Sequence, residues 1–349
     1  MAAAPGTLAI VGAGWAGLAA AVRACETGQR VTLFEMAAQP GGRARSVLAG
    51  GQPFDNGQHI LIGAYARTLA LMRSVGVDPQ AALLRLPLTL RHADGRGLRL
   101  PGGPAALAFA RAVAGARGWS MGDRLALLGT AAGWWAHRFR CDPALTVDAL
   151  CRRLPARVRE LLVDPLCVAA LNTPAHEASA AVFLRVLHDA LLGGRGAADL
   201  LLPRRPLSEL LPAPATRWLG AAGATLRLGQ RVQAIDRRDA RWCVDGELFD
   251  ALVLACTAGE AARLTATVAP AWSAAAAALR FEPIVTVYLQ ALGARLAEPM
   301  MALADGPEAP AQFAFDLGAL GGQAGQFAFV VSGARRWVDA GIDRLERAV

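Results

Sequence analysis

The sequence predicts an α/β protein in which a parallel-sheet unit is interrupted by a long insertion of helices and mixed sheet. Three observations lead there. The apolar run T-L-A-I-V at 7–11 is followed by G-A-G-W-A-G, a stretch of good helix formers and a second apolar run, R-V-T-L-F at 30–34, which is the order of a β-α-β unit. From Ala64 to about Trp218 the pattern turns mostly helical, broken by Pro and Gly. From Thr225 alternation of strand type returns, in T-L-R-L, V-Q-A-I-D and A-L-V-L-A at 251–255.

Taken in order, Gly12, Gly14 and Gly17 follow the first strand, and the helix after them ends near Thr27-Gly28, where Gly28 can cap it. The second strand ends at Glu35. Residues 88–100 read as a hairpin turning at A-D-G. The segment 105–139 carries amphipathic helices with Trp119, Trp134 and Trp135. Further sheet is expected over 281–292 and 312–332, and the last residues, from Trp337, begin a helix. At 349 residues the chain exceeds one hydrophobic core, so two or three domains are expected.

The spacing G-x-G-x-x-G matters because it lies between a strand and a helix. Gly12 permits the tight turn, Gly14 lets backbone approach a pyrophosphate, and Gly17 allows close helix–strand packing. The helix N-terminus, with Trp15 and Ala16, then offers unpaired N–H groups to phosphate. Glu35 stands at the end of the second strand, where a carboxylate can take two ribose hydroxyls. The bland alternative is a glycine-rich turn used for packing alone. G-G-R-A-R at 41–45 adds two glycines for close backbone approach and an arginine fork suited to phosphate oxygens.

Composition limits the partners. The net charge is +8, yet the chain has no lysine, so all 36 basic residues are arginine. With so much Ala, Gly and Pro beside them, coding bias explains the basic balance, and no arginine run with interleaved aromatics suggests nucleic-acid binding. A weak pull toward an anionic membrane surface is left open. The six cysteines are scattered without C-x-x-C spacing, which excludes the common zinc patterns and suits reduced thiols in a cytoplasmic protein. The N-terminus has no basic segment ahead of its apolar run, so it reads as a strand and not a signal peptide. No apolar run is long enough to span a bilayer. The mean hydropathy of +0.33 still calls for a large core, an apolar cavity or a face that meets lipid.

D-N-G-Q-H-I-L-I-G-A-Y at 55–65 gathers Asp55, Asn56, Gln58 and His59 around Gly57 before the chain turns apolar. As a structural element this is a polar turn before a buried strand, with Asp55 and Asn56 bonding backbone groups. As a functional element it follows a nucleotide-binding segment, and Gly57 allows close approach to a planar ring.

G-x-G-x-x-G, an acid and then G-G-R together resemble the FAD-binding fingerprint of amine oxidases, protoporphyrinogen oxidases and phytoene desaturases. The resemblance implies FAD, a Rossmann-like FAD-binding domain with an inserted substrate domain of mixed sheet plus helical cap, and contacts from Gly42 and Arg43. Arg45 is either a further contact or a solvated charge. G-Q-R-V-Q-A-I-D followed by F-D-A-L-V-L-A-C-T at 249–257 resembles the segment whose valine backbone meets the adenine, here Val232, with the next strand rejoining the dinucleotide sheet; an ordinary β-meander is the alternative. In such proteins the chain leaving G-G-R passes under the flavin, which would place D-N-G-Q-H, Gly57 included, at the flavin edge and I-L-I in the cavity sheet.

V-G-A-G-W-A-G-L-A-A-A, D-N-G-Q-H-I-L-I-G-A-Y, L-R-L-P-L-T-L, D-P-L-C-V-A-A-L-N-T-P, A-S-A-A-V-F-L-R-V-L and G-R-G-A-A-D-L-L-L-P are similar to the hydroxysqualene dehydroxylase family of bacterial hopanoid biosynthesis. That implies reductive loss of the hydroxyl of an isoprenoid lipid, hydroxysqualene, to give squalene, with hydride from reduced FAD and a proton from an acid. His59 is the first candidate and Asp55 the second, ahead of His176 and Asp164; His176 reads equally as a surface residue. A C30 substrate implies an apolar tunnel, and the Trp-bearing helices are either cap core or a peripheral contact on the inner face of the cell membrane. The expected domains are 1–63 with 220–270 for FAD, 64–219 for the cap, and 271–349 for substrate-domain sheet. The C-terminal G-D element that closes such FAD sites is not found before Val349, so a truncated product or fragment is expected, with FAD retention in question. Carotenoid-type desaturases and amine oxidases are alternatives on the same fold; Tyr65 and Tyr288, the two tyrosines, supply an amine oxidase's aromatic cage poorly. A non-catalytic lipid-binding relative is the alternative of another class.

Overall fold

A computed structural model describes residues 6–92, 94–304, 306 and 308–349. The chain forms two compact units, one of Met1–Asn56, Arg67–Ala82 and Arg205–Phe281, the other of Gly57–Ala66, Leu83–Arg204 and Glu282–Val349. These bounds differ from the expected divisions at 63, 219 and 270. The helix Pro212–Ala221 packs on the helix Trp15–Glu26 of the first unit, and Leu61–Ile62 pair with strand Leu200–Pro203 of the second. Pairing and packing, not the change of sequence period, set the boundaries.

The first unit is built on a four-stranded parallel sheet in the order Thr225–Leu228, Arg30–Glu35, Thr7–Val11, Ala251–Leu254. The central strand is apolar on both faces, as a covered parallel strand must be: Ala9 and Ile10 are fully buried. Phe34, Val11, Val232, Ile235 and Phe249 form one core cluster beneath it. The meander Ile235–Arg238, Arg241–Val244, Glu247–Phe249 leads back into the sheet, with Asp250 accepting from the Thr7 N–H at 2.7 Å and hydroxyl at 2.8 Å.

In the second unit, strands Val285–Gln290, Gln326–Val331, Phe313–Asp316 and Met300–Ala302 form an antiparallel sheet. Leu61–Ile62, Leu200–Pro203 and Leu83–Leu86 form a second. The hairpin Thr89–Arg91 with Gly97–Arg99 occurs where expected. Ala93 of its A-D-G turn lies outside the described residues, while Asp94 accepts the Arg96 N–H at 2.9 Å.

The helices of this unit follow local chemistry. Ser120 and Asp123 form a reciprocal capping box at the start of Met121–Ala136, and Ser179 caps Ala180–Leu192. Arg159–Val163 is a π-helical segment running into the helix Asp164–Leu171. Pro165 has no N–H to give, which is the local reason the ladder widens there.

The L-N-T-P motif is a staple. Asn172 ends that helix in the left-handed conformation, φ 50. Its amide donates to the Glu282 carbonyl at 2.9 Å and its side-chain oxygen accepts the Gly333 N–H at 2.9 Å.

Two substitutions test these contacts. A β-carbon at Gly17 would stand 1.8 Å from the Gly12 carbonyl oxygen, so Gly17→Ala is expected to cost about 3 kcal/mol or more, read as the urea midpoint. Asn172→Gly keeps the left-handed backbone but loses both hydrogen bonds, and a loss of about 2 kcal/mol is expected in the same measurement. An unchanged midpoint in either variant would contradict the packing described.

Candidate functional site: a dinucleotide cradle and an apolar cavity

The turn Gly12–Gly17 sits at the C-terminal end of the central strand. Gly12 has φ +103 and donates to the Phe34 carbonyl at 2.7 Å, and a β-carbon there would be 2.7 Å from the Ala255 carbonyl oxygen. Gly14 caps the helix Trp15–Glu26 with no side-chain hydrogen bond, so the cap leaves first-turn N–H groups to a ligand. Gly41 folds back on this turn, donating to the Ala13 carbonyl at 2.8 Å and bridging Gly14. Gly41 and Gly42 have φ +114 and +59, and a β-carbon on Gly42 would lie 3.1 Å from the Gly14 α-carbon. Two glycine turns thus face each other through backbone alone. The Trp15 indole N–H ties them by donating to the Ala44 carbonyl at 3.0 Å. Ala16 is exposed beside it.

Glu35 is buried, and each carboxylate oxygen accepts one backbone N–H: Ala13 at 2.7 Å and Ala37 at 2.8 Å. A carboxylate has about four acceptor positions, so two remain for hydroxyl donors after these bonds. Arg43 is exposed, and its carbonyl accepts the Asn56 amide at 2.9 Å. Arg45 is half-buried, with its Nε buried and without a hydrogen-bond partner among the described residues. A donor of that kind, its Cβ only 2.8 Å from where a Gly41 β-carbon would stand, fits an anionic acceptor in the cradle.

Val232 is buried in the core cluster. Its carbonyl accepts Arg263 at 2.5 Å, while its N–H makes no hydrogen bond to a described residue. Arg263 also holds the Gln233 carbonyl at 2.8 Å. Glu260 lies between Arg231 and Arg263, and their hydrogen bonds pull its carboxyl down to about 2. The adenine contact expected of the Val232 backbone is thus open to the N–H, and its carbonyl is already engaged.

D-N-G-Q-H divides between the two compact units after Asn56. Asp55 accepts the Ser46 hydroxyl at 2.7 Å and the Leu207 N–H at 2.9 Å, anchoring the hairpin Ser46–Ala49/Gln52–Asp55 to the short helix Leu207–Leu210. These bonds belong to scaffolding. In the other unit, Gly57 has φ +86, and the Gln58 N–H donates to the Thr286 hydroxyl at 3.2 Å. His59 Nδ1 lies 2.8 Å from the Gly57 carbonyl. A carbonyl only accepts, so Nδ1 carries the hydrogen and Nε2 is the acceptor of the neutral ring. His176 is exposed beside Glu177 at 3.5 Å, and Asp164 opens the helix Asp164–Leu171.

The second unit encloses a cavity of about 600 Å³. Ile60 and Ile62 of D-N-G-Q-H-I-L-I line it, with Leu90, Phe109, Leu128, Trp134, Phe139, Leu166, Phe183, Leu187 and Phe313. Among the described lining side chains, only Tyr65, Asp189 and the two tryptophan indoles, Trp134 and Trp135, carry a polar group. Asp189 is bonded to Arg185 at 2.9 Å and His188 at 3.0 Å, which hold its carboxyl below the usual carboxylate range. Neither Tyr65 nor Asp189 stands out in the sequence as a cavity residue. The signal that could have found the cavity helix is the spacing of Phe183, Leu187, Ala190 and Leu191, one apolar face behind a serine cap.

The model of the flavin containing amine oxidoreductase family matches residues 15–345. Hydroxysqualene dehydroxylase of Rhodopseudomonas palustris is 32% identical over 240 residues, 66% of this chain and 54% of the relative. The chain therefore spans about half the length of the curated relatives it matches. Among solved structures, an oxidoreductase from Methanosarcina mazei superposes with a TM-score of 0.70 at 15% identity, covering 97% of this chain and 82% of that one. Cyclohexylamine oxidase from Brevibacterium oxydans gives 0.63 at 17% identity, covering 99% and 79%. These two likenesses establish the fold. A glycine cradle closed by Glu35 suits FAD, and with the family match nearly end to end, the chain belongs to the flavin-containing amine oxidoreductases.

Proposed function

We propose that this chain carries out the reductive dehydroxylation of hydroxysqualene to squalene, supplying hopanoid biosynthesis. The observation that carries the reading is the cavity: about 600 Å³ of apolar wall with almost no hydrogen-bonding side chain. A cationic amine would meet only one carboxylate there, Asp189, already bonded to Arg185 and His188, whereas a long isoprenoid chain replaces water at a gain of about 25 cal/mol per Å² buried. The resemblance to hydroxysqualene dehydroxylases supports the same substrate class.

The balance of the reaction is simple. The allylic C–O bond breaks, a hydride joins that carbon, and a proton joins the departing oxygen to leave water. Bound FAD in its reduced form supplies the hydride. Gly12, Gly14, Gly42 and the helix start at Trp15 would hold its pyrophosphate, Glu35 its ribose, and Arg43 and Arg45 further anionic oxygens. The chain's own contribution is then position, a dry cavity and the proton. His59 is the proposed proton source: its Nδ1–H is fixed by the Gly57 carbonyl, so a proton gained at Nε2 is the one free to leave. Asp55 remains a second candidate, although its observed bonds favour scaffolding.

The first experiment is the visible spectrum of purified chain, before and after gel filtration with added FAD. Retained flavin bands are expected, and Glu35→Gln should weaken FAD binding about tenfold, the value of roughly one charge-assisted hydrogen bond. Anaerobic photoreduced protein should then convert hydroxysqualene to squalene. His59→Gln should slow that single turnover about a hundredfold or more with the flavin bands intact. A colourless chain that cannot be reconstituted, or a flavin-loaded chain that leaves hydroxysqualene unchanged, would sink the proposal.

A further inference from the structure

We propose that the outer face of the helix Met121–Ala136 docks on the surface of an anionic phospholipid bilayer. This helix is apolar around nearly its whole circumference: its charged residues are Asp123 and Arg124, both in the first turn. One side, with Leu127, Leu128 and Ala131, faces the cavity. The adjoining side is exposed, yet it is not polar. Met121, Leu125, Gly129, Ala132 and Trp135 recur at helical spacing along it, and the three large side chains are 65%, 62% and 61% exposed. Leu107, at 48%, adds to this on the helix Ala105–Ala114 that packs alongside. A soluble surface helix turns a charged face outward; one that turns an apolar face outward has a partner.

Charge selects the partner. At the end of the stripe the exposed side chains become His137, Arg138 and Arg140. Arg138 and Phe139 are both left-handed, φ 52 and 54. That turn brings Phe139 into the cavity wall against His188, ring centroids 5.6 Å apart, and leaves the two arginines exposed. Asp123 is engaged by Ser120, and Asp142 by the Ala144 N–H, so the nearby acids are committed to their own turns. An apolar stripe ending in free arginines matches the layering of an anionic bilayer, acyl region beside phosphate. A second copy of the same face would offer those arginines only carboxylates already engaged in their own turns.

Length decides how the helix sits. Sixteen residues at 1.5 Å span about 24 Å, short of the roughly 30 Å of a hydrocarbon core, so the helix lies in the interface and does not cross. No helix among the described residues is long and apolar enough to cross a membrane. Trp135 and Ala132 belong both to the exposed stripe and to the cavity lining, and Leu192, 44% exposed, does so from the neighbouring helix. The docked face therefore shares side chains with the wall of the apolar cavity. Docking itself does not depend on which lipid the cavity takes.

The test is flotation of the purified chain with vesicles of phosphatidylcholine alone and of phosphatidylcholine with phosphatidylglycerol, at low and high salt, with no substrate present. The chain should float with the anionic vesicles and be released by salt. Arg138→Gln with Arg140→Gln should weaken binding about thirtyfold, each arginine contributing about 1 kcal/mol. Leu125→Glu should weaken it at least tenfold with an unchanged circular dichroism melt. Three outcomes would overturn the inference: no flotation with anionic vesicles, wild-type affinity in both variants, or a wild-type dimer that Leu125→Glu converts to monomer, which would assign the face to a second copy. Should Leu125→Glu fail to fold, the arginine pair and the salt series decide alone. Vesicle binding can succeed where squalene formation fails, so the two readings fall separately.

Discussion

Everything in the nucleotide unit depends on how closely the helix Trp15–Glu26 approaches the turn that precedes it. With hydrogen alone on Gly17, the Gly12 carbonyl reaches to within 1.8 Å of where a β-carbon would stand. Closer packing puts the helix axis over the strand end, and the open N–H groups then point at the space that Gly41 and Gly42 bound from the other side. Glu35 completes the arrangement by spanning both: one oxygen on the glycine turn, the other on the residue after its own strand. The site is thus made mostly of backbone, which water cannot reorganise and side-chain motion cannot blur.

That is also why this part was legible in the sequence. Glycine spacing, an acid at a strand end and short apolar runs all act within a short stretch of chain, and the elements over residues 7–35 are legible there one by one. The second unit was harder. The sheet strands over 281–332 announce themselves, but the cavity does not, because Phe183, Leu187 and Ile60 look like ordinary core. Whether apolar walls meet or stand apart is set by tertiary packing, to which hydrophobic periodicity is blind. Likewise Asn172 in L-N-T-P is a polar residue with no chemistry, recognisable only when both its partners, Glu282 and Gly333, are seen far along the chain. The D-N-G-Q-H cluster looks like one group in the sequence, yet Asp55 accepts hydrogen bonds from Ser46 and Leu207.

The hydropathy of the chain now has a physical accounting. The interior of the second unit is apolar twice over, once in its packed core and again in a cavity that the core surrounds. A cavity wall of this kind holds fewer van der Waals contacts than a filled core, so the empty unit gives up stability that an apolar occupant restores. The same helix then shows a second apolar face to the outside. Elsewhere arginine answers for solubility, paired where it is structural, as at Glu260 and Glu282.

The two units are threaded through each other in sequence, and this bears on how the protein is made. Leu8 pairs with Ala251 and Ile10 with Val253. Strand Thr7–Val11 must therefore wait for a partner that is synthesised more than two hundred residues later. Until then its sheet edge is open, and the apolar helices between 105 and 192 are already present to mispair with it. Synthesis, rather than the finished structure, is where this fold is exposed to aggregation, and slow closure of long loops sets the length of that exposure.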